Sequence, residues 1–296
     1  MNFEFSEEQQ MLRDQARSYL TQHCPTTLVR RVLNNRETHD ADLYKGIAEM
    51  GWTATTIPEE YGGLGMSYLE LVVIAEELGR ACAPVPFSST VYLAAEAIMA
   101  LGTEAQKQAW LPKFADGTAI GCFAMGEAGG RVTPDQMSTR MQDGVLNGTK
   151  VPVADGGIAS VAIVVCASDK GDGASLALVD LSQDAVSKDS VQMIDFSRGH
   201  TELVFDGACA ETLGEEGAGW TAVESLMNTA AVLFAWEQIG IADKALEQAR
   251  EYALGRFAFG RSIASYQAIK HKLAKMYVKN TLARSNAYYG AWARNA

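Results

Sequence analysis

Long apolar runs are missing from this sequence of 296 residues. Stretches such as 230–236 are far shorter than the roughly 20 residues needed to cross a bilayer. Basic charge is also scarce: 25 Lys and Arg stand against 36 Asp and Glu, for a net charge of −11. Phosphate-backbone recognition needs a basic surface, so nucleic-acid binding is not expected. An anionic small ligand remains compatible, held by a local patch or a helix N-terminus. The five cysteines, Cys24, Cys82, Cys122, Cys166 and Cys209, include no CxxC pair, and the four histidines are scattered. Neither a disulfide framework nor a metal site follows from such spacing, and a reduced interior is expected. No basic stretch leading into an apolar one follows Met1, so Met1-Asn-Phe-Glu-Phe reads as a native cytoplasmic start.

What is present is an ordinary soluble composition, 48% hydrophobic and 21% charged, in a chain long enough for two domains or three small ones. The first third reads helical. Ser6 and Gln9 stand as N-cap and N3 of a capping box, and Leu12, Ala16 and Leu20 then recur on one face until Pro25. A second helical pattern leads to Gly51-Trp52, a third runs over about 67–80, a fourth over 91–101, and Thr103 caps another that ends before Gly117. Beyond Gly117 the texture changes. Short segments rich in Val, Ile and Leu, at 118–125, 145–153, 160–167, 175–180, 191–195 and 202–206, alternate with Gly, Asp and Ser. They predict an antiparallel β domain, with Asn147-Gly148 as a tight turn. Helix returns over about 219–252 and again from Tyr266 to near Trp292, with no C-cap before the last residue. The reading is multi-domain α+β: a helical domain over 1–118, a middle antiparallel β domain over 119–214 and an incomplete helical bundle over 215–296. Uncovered apolar faces on that bundle predict association with another chain.

Two blocks are unusual. Pro58-Glu-Glu-Tyr-Gly-Gly63 continues to Gly65, Ser67 and Glu70, and its three glycines point to backbone angles that few other residues tolerate. Arg256, Phe259, Gly260 and Gln267 sit between two helical patterns, a poor use of such residues for packing alone. These blocks resemble the P-E-E-Y-G-G-x-G-x-S-x-x-E and R-x-x-F-G-x-x-x-x-x-x-Q signatures of the acyl-CoA dehydrogenases, and weaker echoes run along the whole chain. The order helix, small β domain, helix is also that family's. The resemblance implies FAD as cofactor, an acyl-CoA thioester as substrate, an electron-transfer flavoprotein as partner, and a homo- or hetero-oligomer. In that family the second block reaches across a dimer to the neighbour's FAD, which assigns Arg256, Phe259 and Gln267 to cofactor binding. An arginine fork suits a pyrophosphate. The family's threonine two residues after this arginine is Ala258 here.

The family's own-flavin loops are less well kept. The segment 122–131 takes the place of C-x-T-E-P-x-A-G-S-D, and only Cys122, Ala128 and Gly129 match. Ala124, Met125, Gly130 and Arg131 replace the threonine, glutamate, serine and aspartate. The segment from Asn147 to Gly157 corresponds to N-G-x-K-x-W-I-T-N-G, with Pro152 and Ala154 where tryptophan and threonine stand. The resemblance thus implies Ala128, Gly129, Val153 and Ala154 as cofactor contacts and Gly130 as a substrate contact. Dehydrogenation needs a carboxylate at the substrate α-carbon. Counting back from Gly240 places one family glutamate position at Ala230 and the neighbouring arginine position at Ala231, the latter assigned to substrate. Glu224 and Glu237 lie on the same helix pattern but off that position, so no catalytic residue is assigned. Glu237 is expected to be a buried polar group, and His271 a cap or core residue. Three readings stand: a partner subunit lending FAD contacts, which the lopsided losses favour; an active homo-oligomeric dehydrogenase; and a cofactor-free relative. Small residues at 130, 154, 230 and 231 suggest a cleft for a bulky, steroid-like acyl group.

Overall fold

The computed structural model describes residues 4–130 and 132–295. The readings attached to Met1-Asn2-Phe3 and to Arg131 lie outside these. In chain order the helices are α1 (Glu7–His23), α2 (Thr26–Asn35), α3 (Ala41–Glu49), α4 (Tyr68–Ala81), α5 (Glu96–Leu101), α6 (Glu104–Ala115), α7 (Gly219–Gly255) and α8 (Gln267–Asn295). The strands are β1 (Gly121–Ala124), β2 (Arg140–Gln142), β3 (Val145–Ala154), β4 (Val161–Ala167), β5 (Ala174–Asp180), β6 (Val186–Val191), β7 (His200–Cys209), β8 (Glu211–Leu213), β9 (Phe257–Ala258) and β10 (Arg261–Ser262).

Helix starts obey local chemistry. Ser6 Oγ accepts from Gln9 N at 3.2 Å while Gln9 Oε1 accepts from Ser6 N at 3.0 Å. Ser67 with Glu70 and Thr103 with Gln106 form the same reciprocal box. The pattern leading to Gly51 is two helices, because Arg36 turns left-handed (φ +53°) and Asp40 starts α3 afresh by accepting from Leu43 N at 2.8 Å. The helix expected from 91 starts earlier, as a π-helical stretch at Ser88–Ala95 that runs into α5.

Two compact units result, each built from separated stretches. One contains the chain up to Thr26, Ser67–Ala83 and everything from Ala231 on, hence α1, α4, most of α7, the β9–β10 hairpin and α8. Here α4 and α7 touch backbone to backbone. A Cβ on Gly79 would stand 2.1 Å from the Glu237 carbonyl oxygen, and one on Gly240 2.0 Å from that of Glu76. This close crossing leaves Glu76 and Glu77 buried among the helices. Arg13 (3.2 Å) and Arg284 (2.8 Å) reach Glu76, Arg17 reaches Glu77 at 2.6 Å, and Arg284 continues to Asp243. A cleft of about 830 Å³ opens over this ion web. On α8, Tyr277, Val278, Leu282 and Tyr289 are exposed, as are Tyr252 and Leu254 on α7.

The second unit holds Thr27–Met66 and Pro84–Ala230. Its sheet runs β6-β7-β3-β2-β4-β5-β8, with β1 beside β4. Pairing is antiparallel except for β1–β4 and β2–β4, which are parallel. Alternation along β4 sends Ala162, Val164 and Cys166 to a cluster with Leu146, Val153 and Leu203. Val161, Ile163 and Val165 face the other way, onto Ile98, Leu111, Phe114 and the start of α7 through Val223 and Leu226. The strand expected at 191–195 lies instead at Val186–Val191. Its Ser187, Lys188 and Asp189 are exposed, so this edge strand carries no apolar pattern to be read. Among the described residues, no helix is long and apolar enough to cross a membrane.

The crossing gives a test with opposed terms. Gly79→Ala gains roughly 1 kcal/mol of helix propensity but overpacks a backbone contact at a cost of about 1–3 kcal/mol or more. Urea unfolding should show net destabilisation for Gly79→Ala and Gly240→Ala. Gly290→Ala, whose Cβ would meet only a Val232 methyl at 3.2 Å, should be close to neutral. Neutral behaviour at all three would contradict the backbone contact.

Candidate functional site

In the second unit the sheet brings β1 and β3 together at their ends. After Ala124 the chain leaves the sheet, and Gly126 O accepts from Val151 N at 2.9 Å. Lys150 on β3 is fully buried, and its Nζ donates to Met125 O at 3.2 Å and to Glu127 Oε1 at 2.8 Å. Glu127 also accepts from Ser138 N (2.8 Å), Ser138 Oγ (2.7 Å) and Thr139 N (3.1 Å). Burial pushes the Glu127 carboxyl up, but hydrogen bonds from Lys150, Ser138 and Thr139 outweigh it and hold the group at about 2. Burial pulls Lys150 down, and Glu127 opposes that pull. The family motif places a glutamate at Met125, whereas the carboxylate stands two residues on, at Glu127. The available signal was Lys150 at an inward position of an alternating strand.

The ion pair anchors the rim on which the assigned residues sit. Ala128, Gly129 and Gly130 are exposed, and an added Cβ on either glycine (φ +115° and +104°) would meet nothing within 4 Å. At Ala128, Gly129 and Gly130 this rim offers main-chain groups and no polar side chain. Val153 is fully buried in the sheet core, which leaves its main chain alone to meet a ligand. Ala154 is half-buried opposite His200, and Pro152 is exposed. Cys122 is buried, and burial raises its thiol far above the usual range.

In the helical unit, α7 ends at Gly255 and the chain turns through the β9–β10 hairpin. Ala258 faces Arg261 and Phe257 faces Ser262, so Phe259 and Gly260 form a two-residue turn, with φ of +54° and +79°. Both positive values mark the type I′ turn that suits strand twist. Arg256 and Gln267, the latter opening α8, flank this hairpin and are exposed; the Phe259 ring is 96% exposed. Ala230 is buried and Ala231 exposed. Glu224 is exposed and Glu237 half-buried. His271 is neither cap nor core: it lies exposed in the second turn of α8. Among the described residues, no group of three or more His, Cys, Asp or Glu is placed to hold a metal ion.

Residues 6–118 match the family described as acyl-CoA dehydrogenase, N-terminal domain, and residues 217–296 match its C-terminal domain. A short-chain specific acyl-CoA dehydrogenase from Megasphaera elsdenii is 30% identical over 309 residues, covering 98% of this chain and 80% of that protein. The chain belongs to the acyl-CoA dehydrogenase family. An acryloyl-CoA reductase (NADH) from Anaerotignum propionicum is also 30% identical, over 100% of this chain and 78% of that protein. Among solved structures, a chain of the ChsE4–ChsE5 complex from Mycobacterium tuberculosis matches with a TM-score of 0.87 at 26% identity, covering 99% of this chain and 79% of that one. Acyl-CoA dehydrogenases are FAD-dependent oxidoreductases.

This family member fits FAD unevenly. The hairpin side fits: an exposed arginine, an exposed glutamine and a rigid turn suit the phosphates and polar edges of a dinucleotide. The flavin-ring side does not match the family's donor set, since Ala124, Pro152 and Ala154 carry no side-chain hydrogen-bond donor and only main-chain groups remain.

The Glu127 carboxyl predicts a pH effect. Held at about 2 when folded, against about 4.3 in an unfolded chain, it stabilises the fold above about pH 4.3, and that contribution is lost as pH falls toward 2. Glu127→Gln should cost about 1–3 kcal/mol at pH 7, with the gap to the parent narrowing below pH 4.5 in urea unfolding. A gap that does not change with pH would contradict the assigned carboxylate.

Proposed function

We propose that this chain is the partner subunit of a two-chain, FAD-dependent acyl-CoA dehydrogenase. In this reading it lends Arg256, Phe259 and Gln267 to a flavin seated mainly in the other chain. The observation that carries it is the asymmetry of side chains. The exposed hairpin and Gln267 keep the family's cross-subunit set, while Ala124, Pro152, Ala154 and Ala230 remove the ring-side donors and the helix carboxylate. The similar ChsE4–ChsE5 structure, named as a complex, supports a mixed assembly. Proposed boundaries are 1–118, 119–214 and 215–296, in keeping with the two matched segments.

FAD, when bound, supplies the two-electron acceptor for α,β-dehydrogenation of the thioester. This chain's residues then bind and orient. Arg256 would hold the phosphates of FAD, Gln267 a polar edge of it, and Phe259 would cover apolar surface. Ala128, Gly129, Val153 and Ala154 are proposed to offer main-chain contacts at a vestigial flavin side, and Gly130 and Ala231 are each proposed as substrate contacts. Proton removal falls to a carboxylate of the other chain, and electrons pass to an electron-transfer flavoprotein. The cytoplasm is the proposed location. A homo-oligomeric dehydrogenase is the second reading, favoured by the Lys150–Glu127 pair that keeps the 125–130 rim in place.

Purification of the chain alone should give a colourless protein that associates through its exposed α7 and α8 residues. Co-expression with a family chain carrying the threonine and tryptophan of the flavin loops should give a yellow complex. Arg256→Ala should lower its flavin content about tenfold or more, as expected for a charge-assisted contact. A yellow protein obtained alone and bleached by an acyl-CoA would instead establish the homo-oligomeric reading.

A further inference from the structure

The β9–β10 hairpin is braced from its own chain on several sides. Ser262 Oγ donates to Ala253 O at 2.8 Å and Leu254 O at 3.0 Å, carbonyls at the end of α7 that have no helical partner. The same oxygen accepts from Ala264 N at 3.3 Å. Tyr266 Oη donates to Ala258 O at 3.0 Å, and the Arg261 guanidinium lies 4.1 Å from the Tyr266 ring centroid. Ile263 N donates to Arg256 O at 2.8 Å. Each bond ties the hairpin to a helix end or to itself, and of the residues reached only Ala253 is buried. Such bonds order the hairpin while contributing little to global stability.

The turn they hold is costly. Phe259 is a non-glycine residue in the left-handed region, a conformation that costs an L-residue energy, and its ring is 96% exposed, so packing within this chain returns little. A strained, exposed aromatic turn kept rigid by two hydroxyls is organised for a contact outside the chain. Flexibility there would have to be paid for on binding.

We propose that Tyr266 and Ser262 are positioning residues, holding Arg256 and Phe259 in their binding geometry before a partner chain or cofactor arrives. The inference rests on the reading above that the hairpin serves another chain's flavin. Ser262 caps the helix from which Arg256 emerges, and Tyr266 fixes the strand that leads into Phe259 through the carbonyl of Ala258.

The test uses the full chain with Tyr266→Phe, Ser262→Ala and the conservative Ser262→Thr. Hydrogen exchange over 256–263 should speed up about three- to tenfold in Tyr266→Phe and Ser262→Ala, the loss of one ordinary hydrogen bond. Melting temperature should move by no more than about 2 °C, and Ser262→Thr should restore slow exchange. In the assembly with a family chain that carries the flavin loops, FAD titration should show a dissociation constant raised by a similar factor. Unchanged exchange, or unchanged FAD affinity with looser exchange, overturns the proposal. So does a loss of stability that matches the loss of affinity, since that marks an ordinary structural role. If the parent assembly binds no FAD, the partner-subunit reading fails on its own, and the exchange data still decide whether the brace exists.

Discussion

The helical unit depends on one contact: α4 and α7 meet backbone to backbone at Gly79 and Gly240. With no side chain at either position, the helices approach closely enough to bury Glu76 and Glu77 between them. A buried carboxylate without a cation is costly, so Arg13, Arg17 and Arg284 are drawn in from α1 and α8. The frame that results holds α7 around Gly240 and Asp243 and α8 at Arg284, on either side of the hairpin in the sequence. The hairpin's own geometry is set nearer to hand, by the hydrogen bonds of Ser262 and Tyr266.

Local signals were legible at helix starts but not always at turns: Asn147-Gly148, expected as a tight turn, lies inside β3, and the turn falls at Asp143-Gly144. The capping box at Ser6 and the cap at Thr103 gave two helix starts, and short runs rich in Val, Ile and Leu gave the central strands. The signal failed where tertiary context decides. The edge strand β6 presents Ser187, Lys188 and Asp189 to solvent and so has no apolar period. The three-residue strands β2 and β8 are too short to show one. The parallel pairing of β1 with β4 is a matter of topology that a run of apolar residues does not encode.

The site divides in the same way. The block from Arg256 to Gln267 was visible because Phe259-Gly260 and Gln267 make a long, specific pattern, but its hairpin was not read, and the structure explains the glycine by its left-handed turn. The Glu127–Lys150 pair was not visible, because its carboxylate stands two residues from the matching position and only folding reveals the partner. This pair keeps the shape of a loop that has lost its side-chain donors.

The central claim is that flavin chemistry belongs to one of two unlike chains. Counting FAD per assembly by native mass spectrometry of the intact complex tests it most directly. The account predicts one FAD for each pair of unlike chains, lost on Arg256→Ala in this chain. One FAD for every copy of this chain in a homo-oligomer would contradict it.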